Sequence, residues 1–508
     1  MNMSSFVVPV LAVMIFVTSF GSDAYAAKKK KKQKPKPPVT TEELANIEKA
    51  VAGLSAVKPA KLRKVLVFNR TDGYYHTSIK CAAKSLELIG KKTGAFETVE
   101  SEDMAVFDAG NLKQFDAVCF NSTTKLSFQD DDQRKALMDF VKGGKGIVGI
   151  HGATDCYQDW PEAAEMIGGT FDSHPWTKKG TWAFKVDEPT NPITNSLDAK
   201  GFKLSDEIYR HKPLKLSDRC RVLVSLDMND EATRSAKSKK GGVLPTDNDV
   251  PVSWVRPFGQ GRVFYTGFGH NHDIFWNEAI LGHILAGIQY AVGDLEIDDS
   301  IPQPNTLTEA EIKDGWKLLF DGKTANNFRY AKGKPKWQIK DGVMTVCPDG
   351  LRTGSIVFAD TYSNFDLKLD FKVTEAANSG IKYLNANGAA FEYQILDDEK
   401  HGDARRGIDG NRSLASLYDM IPPKNKMINP VGQWNQARII VNGKHIEHWL
   451  NGIKVLEFDC GSERFNKHFA QSKYKDSKKY GKNTKGGILL QDHSDEVSFR
   501  NIKIKELK

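Results

Sequence analysis

The spacing of apolar residues changes once along this chain, and the change limits the possible fold more than any other feature. Between residues 64 and 293, short apolar runs alternate with helical stretches. Val65-Leu66-Val67-Phe68 is a continuous apolar run, 78–89 reads as a helix, 115–120 as a strand, 130–141 as a helix and 146–150 as a buried strand. Strands apolar on both faces that alternate with helices predict an α/β unit with a mainly parallel sheet covered on both sides. Further strands are expected at 221–226, 252–255 and 262–265, a closing helix at 275–292, and a short helix at 41–54 ahead of the unit. Beyond Gly315 the period becomes two. Phe365, Leu367, Leu369, Phe371 and Val373 alternate with Asp366, Lys368, Asp370 and Lys372, placing one strand face in a core and the other toward water. Val497, Phe499, Ile502 and Ile504 keep the rhythm with one slip, and Asn442-Gly443 and Asn451-Gly452 read as hairpin turns. This half predicts an all-β jelly-roll sandwich. Pro302 and Pro304 break the segment between the two, so the expected domains are 61–293 and 314–508, joined by a linker at 294–313.

The N-terminus is of another kind. Residues 6–20 are apolar, too short for a comfortable bilayer span of roughly 20 residues, and Ala24-Tyr25-Ala26 follows as a small-x-small cleavage pattern. A signal peptide over 1–26 is expected, with a periplasmic or secreted protein and no membrane span after its removal; an uncleaved anchor is the other reading. Residues 27–60 form a Lys/Pro-rich tether and the short helix. The stretch 28–36 holds seven lysines, so most of the net charge of +8 sits in the tether and the folded body is close to neutral. That argues against nucleic acid as a partner. The six cysteines form no C-x-x-C pair, which leaves buried thiols as the expectation.

In open parallel sheets the ligand site lies at the carboxyl ends of the strands. There the sequence places Asn69-Arg70-Thr71-Asp72 leading to His76, His151-Gly152-Ala153-Thr154-Asp155, His174, Asp206-Glu207 and Gly269-His270. These motifs resemble the trehalose-utilisation, ThuA-like family, and the resemblance implies a flavodoxin-like fold similar to class I glutamine amidotransferases. In those enzymes a Cys nucleophile occupies the turn after the central strand. Here His151 stands in its place, so amide hydrolysis would need Cys156 as a substitute. His76, His151, His174, His270, Asp155 and Glu207 are candidate ligands of one divalent metal ion whose identity the sequence leaves open. No G-x-G-x-x-G follows the first strand, so NAD is not expected.

The second half has its own polar groups. Glu392 and Gln394 share one face of a strand, because side chains two apart point the same way. Asp397, Asp398, His401, Tyr418, Gln491 and His493 follow. Together with Gly315-Trp316, Leu319-Phe320-Asp321-Gly322, Trp434-Asn435 and Gly487-Ile488, these residues resemble the 3-keto-disaccharide hydrolase family, which has a laminin-G or concanavalin-like jelly roll. The resemblance implies Glu392, His401, Asp397 and His493 as catalytic residues and Gln394, Gln491, Asp398 and Tyr418 as substrate-binding residues.

The chemistry so implied is cleavage of a 3-keto-glycoside. A ketone at C3 acidifies the C2 hydrogen; a base, Glu392 or His401, removes it, the C1 substituent leaves by β-elimination, and water adds to the enone. A separate oxidoreductase would then supply the 3-keto sugar. The alternative is a glycan-binding sandwich without catalysis, attached to a ThuA-like sugar-processing domain.

Overall fold

A computed structural model describes residues 36–213, 216–330, 337–347 and 354–508; the expected signal peptide over 1–26 and most of the expected tether fall outside these residues. Among the described residues the first half is built on a nine-stranded sheet. In spatial order its strands are Glu97–Ser101, Lys64–Phe68, Ala117–Asn121, Gly146–Ile150, Gly261–Thr266, Pro251–Phe258, Arg221–Leu226, Thr181–Val186 and Phe202–Ser205. The first five run parallel, in the flavodoxin-like arrangement. The last four continue the sheet antiparallel, so it is mixed.

The parallel strands are apolar throughout because each one feeds two cores. Val65, Val67, Cys119, Val148 and Ile150 face the helices Ile79–Thr93 and Glu278–Ala291. Leu66, Phe68, Val118, Phe120 and Ile147 face the helices Asp131–Lys142 and Pro161–Ile167. Gly287 lets its helix lie directly on the sheet: a Cβ there would sit 2.3 Å from the Phe264 ring. No disulfide joins any of the six cysteines.

The second half is a sandwich of two antiparallel sheets. The larger holds Gln338–Lys340, Val343–Val346, Val497–Glu506, Phe365–Val373, Asn435–Asn442, His445–Leu450 and Ile453–Asp459, with Trp316–Leu318 also paired to Val497–Glu506. The smaller holds Phe328–Tyr330, Ile356–Tyr362, Gly486–Leu490, Asn378–Ala386 and Ala389–Leu396. Leu367, Leu369, Phe371, Ile439, Ile381, Tyr383, Tyr393 and Ile488 fill the space between them. The slip in the last strand is a β-bulge at Asn501, which takes a left-handed φ of 53° and exchanges hydrogen bonds with Asn305 of the linker at 2.6 and 2.8 Å.

The other face of Phe365–Val373 is not wet as expected. Asp366 is buried against Arg438 (Nε to Oδ1 2.7 Å), and Asp370 against Arg500 and Asn501. Lys368 lies 4.5 Å over the Trp316 ring, and burial pushes its ammonium down to about 8. Cross-strand pairing and aromatic cover replace solvent there.

Candidate functional site

The polar cluster of the sandwich stands on the outer face of the smaller sheet. Register places Lys382 opposite Glu392 and Gly380 opposite Gln394. The intervening Ile381, Tyr383, Phe391, Tyr393 and Ile395 point into the core. An outer face would ordinarily be wet, yet Glu392 is only 6% exposed. Long segments after residue 397 and after residue 471 cover it: Tyr418 donates its backbone N–H to the Glu392 carbonyl, and Lys473 lies 4.0 Å over the Tyr418 ring. Gly380 makes the convergence possible, since a Cβ there would be 2.5 Å from Glu392 Oε1 and 3.2 Å from Gln491 Oε1.

Burial raises the Glu392 pKa, and the charges of Lys382 and Lys473 oppose the rise. Lys382 Nζ is 3.6 Å from Glu392 Oε2. Burial also lowers the Lys473 ammonium, against the pull of Glu392 and Asp419. The site therefore holds a carboxyl poised to take up a proton beside two ammonium groups.

His401 caps the turn Gly402–Arg405, its Nδ1 accepting the Asp403 N–H at 3.1 Å. That bond fixes the tautomer: the proton resides on Nε2, which is then a donor. Asp403 in turn accepts from Tyr418 Oη at 2.7 Å and from Arg412 Nη1 at 3.1 Å. The His493 ring is 6.2 Å from that of His401, and its Nδ1 is 3.7 Å from Asp495. Gln394 lies beside Asn378 at 3.4 Å.

Two expected members stand apart from this cluster. Asp397 accepts the backbone N–H groups of Ala376, Glu399 and Lys400, and Asp398 holds the Leu414 N–H and Lys426. Both carboxylates fix the path of the covering segment.

The first half gathers a second set. His151 follows the central strand with a left-handed φ of 42°, a strained backbone at the carboxyl end of the sheet. Its Nδ1–H donates to the Gly267 carbonyl at 2.9 Å, so Nε2 carries a lone pair. That Nε2 is 3.1 Å from His76 Nε2 and 3.9 Å from Glu207 Oε1. His270 Nδ1 lies 3.1 Å from Glu207 Oε1, and His174 Nδ1 lies 3.3 Å from Oε2. Burial, reinforced by His270, pushes His76 down to about 3, and burial with the neighbouring rings lowers His151 well below its ordinary value. Burial alone would raise Glu207, but His270 and His174 hold it below the usual range.

Asp155 is not in this set. Its side chain faces a separate hollow lined by Lys125, Leu126, Tyr157 and Gln158, and burial raises its pKa. Cys156 is no nucleophile: its thiol is buried against Thr123 and pushed up to about 12.

Comparison with known proteins follows the same division. The family profile described as "Trehalose utilisation" matches residues 64–291, and that described as "3-keto-alpha-glucoside-1,2-lyase-like domain" matches 315–505. A 3-keto-disaccharide hydrolase of Bacteroides thetaiotaomicron is 36% identical over 229 residues, covering 38% of this chain and 79% of that protein. The chain belongs to the 3-keto-disaccharide hydrolase family. Its first half is a ThuA domain. Among solved structures, one described as a glycosyl hydrolase from Parabacteroides distasonis is 34% identical and covers 41% of this chain and 100% of that one, with a TM-score of 0.37. A ThuA-like protein from Bacteroides uniformis is 21% identical and covers 46% of this chain and 93% of that one, with a TM-score of 0.38.

Several groups of the hydrolase-domain cluster escaped the sequence reading: Lys382, Lys473, Arg412 and Asp403. Lys382 reaches Glu392 only through strand register, which no single-strand pattern reveals. Lys473 is brought in by the covering segment, 81 positions from Glu392. In the ThuA domain the sequence places Asp206 beside Glu207 without giving it a role. Asp206 is buried, its pKa is pushed up to about 7, and it accepts the N–H groups of Gly269 and Asn271 on either side of His270.

Proposed function

We propose that the sandwich cleaves 3-keto-glycosides, with Glu392 as the base that removes the C2 hydrogen. The observation that carries this reading is a carboxyl 6% exposed, raised in pKa, within 3.6 Å of a lysine ammonium and over a glycine that leaves room beside it. A base working on a carbon acid gains from such a setting. Desolvation raises its proton affinity, and the cations Lys382 and Lys473 supply charge for the enolate that forms.

Bond changes follow from the substrate's chemistry. Glu392 takes the C2 proton, the electron pair forms the enolate, the C1–O bond breaks, and the departing oxygen takes the proton of His401 Nε2. Water then adds at C1, giving a proton back to His401, and the proton held by Glu392 returns to C2, for net hydrolysis without the paired-carboxylate route. His401 enters as a donor through Nε2–H and not as the base, because its Nδ1 already accepts a backbone N–H. Gln491 and Gln394 serve the sugar hydroxyls, and His493, half exposed, lies at the rim of the site.

Export to the periplasm or beyond is part of this proposal, supported by the apolar run 6–20 and the Ala24-Tyr25-Ala26 pattern. A separate oxidoreductase then makes the ketone. Incubation of the purified chain with a synthetic 3-keto-glucoside bearing a chromogenic aglycone tests the reading. Aglycone release that Glu392→Gln abolishes and His401→Asn merely slows is expected; release from the unoxidised glucoside at an equal rate, or undiminished release by Glu392→Gln, would overturn it.

A further inference from the structure

The proposed reaction assigns no step to the polar centre of the ThuA domain, and the geometry of that centre asks for a ligand of its own. We propose that His76 Nε2, His151 Nε2, His270 Nδ1 and Glu207 Oε1 hold one divalent first-row transition-metal ion.

These four atoms lie within 4.8 Å of one another. Metal–nitrogen bonds of about 2.1 Å place two ligands at roughly right angles about 3 Å apart. The separations of 3.1 Å between His151 and His76 and between His270 and Glu207 match that spacing. Hydrogen bonding accounts for the set less well. His151 Nε2 has no proton to give, since Nδ1–H is committed to the Gly267 carbonyl, and its lone pair can only accept from His76 Nε2 at 3.1 Å. His270, nine-tenths buried, points Nδ1 at Glu207 but out of line for a hydrogen bond, leaving that nitrogen without a partner among the described residues.

The surroundings fix the ligands as an outer shell does. Tyr265 Oη donates to the His151 carbonyl at 2.8 Å, the Asp206 carboxylate grips the two amides that flank His270 at 2.7 and 2.8 Å, and His174 sits 3.3 Å from the second oxygen of Glu207. Neutral imidazoles with one carboxylate form an N₃O set that suits Mn, Fe, Co or Zn and disfavours Mg or Ca, which prefer all-oxygen shells. The accessible edge of the centre is bounded by His174 and by Tyr74, which is 61% exposed and stacks on His270 at 6.3 Å. A metal ion there polarises a carbonyl or activates bound water, giving the chain a second reactive centre apart from Glu392.

The sandwich offers a rival set, His401, His493 and Asp495. His401 lacks a free lone pair on Nε2 for the reason given above, so this set is not the one proposed.

The test uses the full-length chain, stripped with a chelator and titrated with Co²⁺, with metal content read by mass spectrometry and coordination by the visible d–d spectrum. About one ion per chain is expected, with a spectrum typical of nitrogen–oxygen coordination. Glu207→Gln and His151→Gln should weaken binding at least tenfold, whereas His401→Ala should leave stoichiometry and spectrum unchanged. Because Glu207 is partly exposed and its amide is isosteric, that variant should fold even if His151→Gln does not. A folded wild-type chain that binds no ion at micromolar Co²⁺ or Zn²⁺, binding that survives Glu207→Gln, or binding lost in His401→Ala would each overturn the assignment.

Discussion

A single carboxyl shows how much of this account rests on environment and not on residue type. Glu392 and Gln394 were legible in the sequence as neighbours on one strand face, but a face cannot disclose whether it is wet. The covering segment decides that, and it turns Glu392 into a buried acid with a raised pKa. Asp397, equally prominent in the sequence, is held by three backbone N–H groups. Two outcomes follow. Glu392→Gln should lower kcat by ~10² to 10⁴, the usual worth of a positioned base, as measured by aglycone release. It should also stabilise the protein. A carboxyl whose folded pKa is raised binds its proton more tightly when folded, so stability is lost as pH rises through that pKa. Thermal melts should show the variant's Tm advantage growing from pH 4 to pH 8. For the same reason the acid limb of kcat/KM should lie above the ordinary glutamate range of about 4.3.

Local signals and elements agree where backbone chemistry is explicit. Asn451-Gly452 takes φ of 50° and 77°, the type I′ pattern that Asn-Gly favours, between strands paired at Leu450 and Ile453. At the other turn the pair is offset: Asn442 pairs with His445, and Gly443, with φ of 61°, is the first central residue. The slip in the last strand proved to be the Asn501 bulge. The strands Thr170–Trp176, Thr181–Val186, Phe202–Ser205 and Ile208–Lys212 went unread. They are short and interrupted by polar residues, and they form the antiparallel extension and a separate ribbon instead of the apolar parallel centre. Since Gly452 needs a left-handed backbone, Gly452→Val should cost about 1–2 kcal/mol in urea unfolding. Gly432→Ala, at an equally open left-handed glycine, offers a milder comparison because alanine is not β-branched.

At the scale of the molecule the same hairpin has a second duty. Asn229 of the ThuA domain donates to the Gly452 carbonyl at 2.9 Å and accepts the Lys454 N–H at 2.9 Å, while Asn248 donates to Asn429 at 2.9 Å. The two domains were legible as separate folds from the change of period, but their contact was not, because it uses asparagines that read as ordinary turn residues. Asn229→Ala should quicken proteolysis within 294–313 several-fold while leaving aglycone release unchanged, as followed by timed digestion. Removal of the C2 hydrogen of a keto sugar by Glu392 can be followed with a substrate deuterated at that carbon. A slower kcat/KM for the deuterated 3-keto-glucoside than for the protiated one is the predicted result; equal rates, with Glu392→Gln as active as the native chain, would contradict it.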